Sequence, residues 1–270
     1  MRSFELTELG GPAGTRLRRH TAGFDDLPWG TLDVARYPRP LVERARLSWT
    51  QGAFSEYATG AAFANLAASL LAIGAPIDLA AMASDFVAEE MAHAMLNARM
   101  AAELGGAVVS RFDEARLAPC LVADDPRLRA VELAVKLGCV DEGMSAPLLA
   151  ANARAATHPL TAAVLTRIAR EEPPHARLGW LVLEWSDSWL SDDDRRHLGE
   201  VASRALSSLA AELPAATVSS PPAGIGDLGW LPLPDYLALA ERAEQHIIER
   251  FALYGLAVRA SMTTKSSCLR

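Results

Sequence analysis

The pentapeptide Glu-Glu-x-x-His occurs twice, as Glu89-Glu90-Met91-Ala92-His93 and as Glu171-Glu172-Pro173-Pro174-His175, about eighty residues apart. Positions three apart lie on the same face of a helix. Glu90 with His93, and Glu172 with His175, therefore each aim one carboxylate oxygen and one imidazole nitrogen at a common point. A single copy reads equally as a surface pair or a satisfied core histidine. Two copies, each on the second helix of a hairpin, require a fold that brings two such helices together around polar groups.

The punctuation of the chain supplies those hairpins. Residues 1–38 read as an irregular arm, broken by Gly10-Gly11-Pro12, Pro28-Trp29-Gly30 and Tyr37-Pro38. A helix is expected from Pro40 to about Ile73, since proline is well tolerated in a first turn. It stops at Gly74-Ala75-Pro76, and Asp78 is the expected cap of a second helix that runs to Gly105-Gly106. After a connection of about twenty residues, Asp124-Asp125-Pro126 starts a third helix that reaches about Ala156, with a kink expected at Pro147. Thr157-His158-Pro159 starts a fourth, to about Leu190. Pro173 and Pro174 fall inside that fourth helix, where proline removes backbone bonds, so a kink or bulge is expected at the second motif. Ser191 followed by three aspartates caps a fifth helix that ends near Pro214, and a last helix covers about 235–256. The expected architecture is all-α: a four-helix bundle over 39–190, a helical extension over 191–258 and a flexible tail over 259–270.

Composition narrows the partners. Acidic residues outnumber basic ones, 33 to 26, and Lys136 and Lys265 are the only lysines. That balance argues against nucleic acid, which demands a basic surface. Three cysteines (Cys120, Cys139, Cys268) without a CxxC pair fit a reducing compartment, and a cytoplasmic location is expected. Tyr57–Ile77 carries no charge over a span close to a membrane helix. Its alanines, Thr59, Asn65 and Pro76 fit a helix buried on all sides in a soluble bundle better, so no membrane partner is expected.

The first helix of each hairpin carries a carboxylate at a matching height: Glu56 upstream of Glu90, and Glu142 upstream of Glu172. Glu56, Glu90, His93, Glu142, Glu172 and His175 would then present four carboxylates and two imidazoles to one interior. Four carboxylates in an apolar interior cannot all stay ionised without cations. Two divalent metals balance them, and an oxygen-rich set with one imidazole per metal suits iron or manganese better than zinc or copper.

This pattern resembles the ferritin-like di-iron carboxylate superfamily, whose signature is Glu, Glu-x-x-His, Glu, Glu-x-x-His on four helices. The resemblance covers roughly residues 40–190. It implies that Glu56, Glu90 and His93 hold one iron and Glu142, Glu172 and His175 the other, with one or two glutamates bridging. In that superfamily an acid just before the second-helix glutamate often binds the other motif's histidine. Glu89 and Glu171 stand at those positions, where a solvated surface charge is the alternative reading. The resemblance further implies a di-iron, O2-activating oxidoreductase (oxygenase or oxidase) with an external electron donor and a small organic substrate, in a monomer or homodimer. Iron oxidation and storage by the same ligands, or a metal-free interaction bundle, are the competing readings.

Small residues surround the ligands: Gly52, Thr59 and Gly60 near Glu56, and Gly138, Cys139, Ser145 and Ala146 near Glu142. They leave room for a substrate or let helices pack closely. Trp49 and Phe63, one heptad either side of Glu56, line that space or belong to the core. His246 and Glu249 have the motif spacing in reverse and are a possible extra ligand pair or a surface pair. His20 and His197 read as surface, and His158 as a helix-start residue. No Gly-x-Ser-x-Gly elbow, GxGxxG or Walker loop is present.

Overall fold

The computed structural model describes residues 2–109, 111–112, 117–118, 121–212 and 223–261. Their regular structure is helical apart from one antiparallel pairing of two-residue strands, β1 (Arg2–Ser3) with β2 (Arg111–Phe112). Among the described residues no helix is long and apolar enough to cross a membrane.

Two long helices form the first hairpin. α2 (Arg39–Ala72) has Pro40 in its first turn and ends where Gly74 takes a positive φ of 66°. That left-handed residue lets Ala75 N–H donate to Leu70 O (3.0 Å) and Gly74 N–H to Leu71 O (3.2 Å), pairing carbonyls the helix would otherwise leave free. α3 (Ile77–Glu103) follows at once and lies along α2. Its N-cap is Pro76 rather than Asp78, whose carboxylate meets only Leu79 N–H at 3.1 Å.

The second hairpin departs from a plain pair of helices. α4 (Pro126–Ala134), capped by Asp125 as expected, passes into a π-helical stretch at Val135–Glu142 and then into α5 (Gly143–Ala155). The irregularity lies at that stretch, upstream of Pro147, which sits inside α5. α6 (Pro159–Ser186) is capped by His158, whose Nδ1 accepts from Leu160 N–H at 3.2 Å. It continues as α-helix through Pro173 and Pro174. Both prolines are exposed, so the carbonyls of Ala169 and Arg170 that they leave without helical partners lie on the solvent side.

The hairpins meet through α3 and α6 and through α2 and α4. The closest approach in the second hairpin is Gly138 against Gly179. A Cβ built on Gly138 would lie 2.6 Å from Gly179 N, and one on Gly179 would lie 2.5 Å from Cys139 N. Both obstacles are backbone, so neither can swing aside.

Extensions cover the hairpins from both ends of the chain. The arm contains a short helix, α1 (Gly11–Leu17), which the absence of a sustained period had not predicted. Further along the arm, Phe24 and Leu32 join Trp49, Met100, Leu160 and Ile168 in one hydrophobic cluster. α7 (Asp192–Glu212) begins on Ser191, whose Oγ accepts from Asp194 N–H (3.2 Å) while Asp194 accepts from Ser191 N–H (2.9 Å). It packs on the π stretch, and α8 (Leu233–Ala252) packs on α5. They share a larger cluster with Phe63, Leu133, Leu178 and Phe251, each fully buried or nearly so. Every such side chain contributes about 1.5–3 kcal/mol. Arg259 N–H donates to Ser203 Oγ (3.0 Å) and Ser261 N–H to Glu244 (2.8 Å), so the chain is tied to α7 and α8 up to Ser261. The expected end of the fifth helix near Pro214, Cys120, Cys268 and the tail after Ser261 lie outside the described residues.

The Gly138–Gly179 contact yields a test of the packing. Gly179→Ala should cost about 1–3 kcal/mol through forced separation of α6 from the π stretch. Chemical denaturation would register this as a lower midpoint at unchanged slope, and an unaltered midpoint would contradict the backbone contact.

Candidate metal centre

Glu56 comes from α2, Glu90 and His93 from α3, Glu142 from the last position of the π stretch, and Glu172 and His175 from α6. One ligand-type atom from each of Glu56, Glu90, His93 and Glu172 lies within 4.8 Å of the others; Glu90, Glu142, Glu172 and His175 form a second group by the same measure. Glu90 and Glu172 belong to both groups. The two groups therefore share a carboxylate pair, with Glu56 and His93 on one side and Glu142 and His175 on the other.

The two motifs cross over. His175 Nδ1 lies 3.0 Å from Glu90 of the first motif, and His93 Nδ1 lies 3.2 Å from Glu172 of the second. The opposite ring nitrogens face away from the cluster. His93 Nε2 is 3.1 Å from Glu171 Oε2, and His175 Nε2 is 2.9 Å from Glu89 Oε2. The outer acid of each motif thus holds the histidine of the other, leaving both Nδ1 atoms directed at the shared carboxylates. The imidazole rings stand 5.9 Å apart, and His175 packs against Phe63 (5.3 Å) and Phe86 (4.2 Å), which also touch each other.

Five of the six residues are enclosed: Glu90, His93 and His175 are 0 % exposed, Glu172 1 % and Glu142 4 %. Glu56 is half-buried as a residue, with its carboxylate turned into the cluster. Both oxygens of Glu90, Oε1 of Glu172 and Nδ1 of both histidines are buried and make no hydrogen bond. A buried polar atom without a partner costs about 1–3 kcal/mol. Here such atoms converge on one place, and they are hard oxygens and imidazole nitrogens. The residues present therefore fit a pair of divalent cations.

Without metal the cluster holds protons. Burial pushes the carboxyls of Glu90 and Glu142 well above the usual range, and neighbouring carboxylates push the same way. Glu56 is raised by burial and by Glu172. Burial also acts on Glu172, but its contacts with His175 and His93 outweigh it and hold this carboxyl below its usual range. For His93, burial disfavours the charged ring, yet Glu171 and Glu172 prevail and push the pKa up to about 10. His175 is pushed up to about 10 by Glu172 and Glu89, again against burial.

The remaining candidates fall in different places. A methyl group on Gly52 would collide with the amide of Asn97, and one on Gly60 would meet the methyl end of Met91. The room beside these glycines is filled by protein, and Gly138 serves the approach to Gly179. Trp49 donates to Leu228 O (3.1 Å) in the arm-side cluster. Thr59 is half-buried. Cys139 is fully buried in the core, and burial raises its thiol well above the usual range. His246 and Glu249 are exposed on α8, and Gln245 donates to Glu249 at 2.9 Å.

Two participants escaped the sequence reading. Asn97, four residues beyond His93, is buried and donates to His93 O (3.0 Å) and to Glu56 Oε1 (3.4 Å). Its helical spacing from Glu90 and His93 was the available signal. Arg167 lies 2.6 Å from Glu171, four residues along α6. No protein-family model matches the chain, and no curated protein matches it.

The protonation pattern sets a pH dependence for the metal-free chain. Both histidines bind a proton more tightly folded than unfolded, so their stabilisation is complete below their ordinary 6.5 and is lost as pH rises towards about 10. The raised glutamates act in the same direction, and Glu172 is already ionised throughout that window. Melting temperature of chelator-treated protein should therefore fall between pH 6.5 and pH 10. A flat or rising profile would contradict this protonation pattern.

Proposed function

We propose that the chain is a ferritin-like, di-iron, O2-activating oxidoreductase of the oxygenase or oxidase type, acting on a small organic substrate. The observation that carries this reading is the convergence of unpartnered carboxylate and imidazole atoms from four helical segments on one enclosed spot. Glu56, Glu90, His93 and Glu172 would hold one metal, and Glu90, Glu142, Glu172 and His175 the other. When bound, a pair of irons supplies the redox chemistry that dioxygen requires and that no side chain of the chain can perform. Manganese fits the same donor set.

The chain's own residues supply geometry, charge and exclusion of water. Glu171 and Glu89 fix the two imidazole planes through Nε2, so that each Nδ1 is presented to the centre. Glu90 and Glu172 stand between the two positions, where a carboxylate can bridge. Phe63 and Phe86 close the His175 side with apolar rings. Asn97 holds Glu56.

Entry is assigned to the Glu56 side, where the covering layer is thinnest: Glu56 is half-buried as a residue although its carboxylate is enclosed. Half-buried Met91 covers Gly60 there, and a flexible thioether can turn aside for a small molecule. An external electron donor is part of the proposal. Oxidoreductase chemistry is favoured over iron storage because the arm, α7 and α8 cover the two hairpins, leaving less free surface for a shell.

Anaerobic loading with Fe(II), followed by addition of oxygen, should consume O2. Glu142→Ala, which removes one ligand and leaves the other half intact, should slow that consumption more than about 100-fold. Oxygen uptake no faster than that of free Fe(II), or uptake unaffected in Glu142→Ala, would contradict the proposal.

A further inference from the structure

The two halves of the cluster differ in what stands behind their histidines. Behind His175, Glu89 forms no ion pair with an arginine or lysine among the described residues. Behind His93 the contacts continue. Glu171 binds His93 through Oε2 (3.1 Å) and meets Arg167 Nε through Oε1, at 2.6 Å, as an ion pair whose N–H is not aimed at the oxygen. The far end of the same guanidinium donates to two carbonyls of the N-terminal arm, Ala22 O (3.0 Å) and His20 O (3.1 Å). It also lies 5.2 Å from the ring centroid of Phe24, which is buried. One arginine therefore donates to a loop segment far away in sequence and stands as an ion pair beside the acid that orients a candidate ligand.

We propose that Arg167 is a positioning residue that couples docking of arm residues 20–24 to metal occupancy at the His93 position. The inference rests on the metal-centre reading. The guanidinium fork is rigid and planar. A shift of the arm moves it, and Glu171 and the His93 ring follow. Coupling of this kind is reciprocal, so metal at His93 steadies the arm by the same factor that the docked arm strengthens metal binding. The arm is suited to respond, because segment 20–24 consists of turns and a single 3-10 turn begins at Phe24. Its other ties, Asp25 with Arg99 (2.8 Å) and Trp29 Nε1 with Phe24 O (2.6 Å), do not pass through the cluster. Loss of Arg167 therefore loosens the segment without releasing the arm.

The test is hydrogen exchange of the full-length chain, metal-free and loaded with Co(II), together with a Co(II) titration. In the wild type, amides in the 18–27 region should exchange about tenfold more slowly with metal. In Arg167→Gln that difference should vanish, and one of two Co(II) affinities should weaken about 10-fold while the other is kept. Arg167→Lys keeps the charge beside Glu171 and lacks the fork, so it should recover affinity more fully than arm protection. A wild type that binds no Co(II) would overturn the metal-centre reading itself. A wild type that binds two ions with arm exchange indifferent to metal would overturn this inference alone. So would an Arg167→Gln variant that keeps both affinities and the metal-dependent protection. If Arg167→Gln fails to fold, the wild-type exchange comparison decides by itself.

Discussion

Charge cannot be left bare in a dry interior, and the centre of this molecule is organised around that constraint. Four carboxylates gather in two overlapping groups, with Glu90 and Glu172 common to both, between helices whose neighbouring side chains include alanine, leucine and phenylalanine. Each ionised carboxylate would cost several kcal/mol there without compensation. The chain has two remedies: protons, which occupy the cluster in the metal-free state, or divalent cations. Apolar residues of similar volume in such a place are often neutral or stabilising. Five of the buried atoms make no hydrogen bond, which fits a group that could hold a metal ion.

The crossed arrangement of the two motifs has a structural consequence. Glu89 on α3 holds His175 on α6, and Glu171 on α6 holds His93 on α3. Neither half of the cluster can form from one hairpin alone. The cluster is at the same time part of the join between the hairpins, so any ion held there would also tie α3 to α6. The π stretch at Val135–Glu142 belongs to the same design. It rests its Gly138 on Gly179 of α6, one turn beyond His175, and it ends on Glu142. Local widening of a helix beside a functional cluster is a common location for such turns.

Much of this was legible in the residues. The long helices follow from Pro40, the Gly74 turn, the Asp125-Pro126 start, His158-Pro159 and the Ser191 cap, each of which acts within a few residues of chain. The cluster of candidate ligands was legible because spacing of three on a helix places Glu and His side by side whatever the helix packs against. What escaped depends on how segments meet. Nothing periodic in VKLGCVDE announces a π stretch; it follows from the backbone contact with α6. The small residues beside the candidate ligands left open space and close packing as alternatives, and only the packed structure decides between them: Asn97 and Met91 fill the room beside Gly52 and Gly60 from the facing helix. The paired prolines suggested a kink or bulge; α6 stays helical through them, and they lie on its wet face, where water can serve the freed carbonyls. Arg167 acquires its role only once the arm has folded back over α6.

The central claim is that this cluster is a two-metal site. The most direct measurement is the elemental content of the full-length chain purified without added metal, together with that of Glu90→Ala. Glu90 faces both positions, and its side chain is fully enclosed. The account predicts close to two transition-metal ions per wild-type chain, iron or manganese, and fewer than one in the variant. A wild type devoid of metal that also takes up none from Fe(II) or Mn(II) under anaerobic conditions would contradict it.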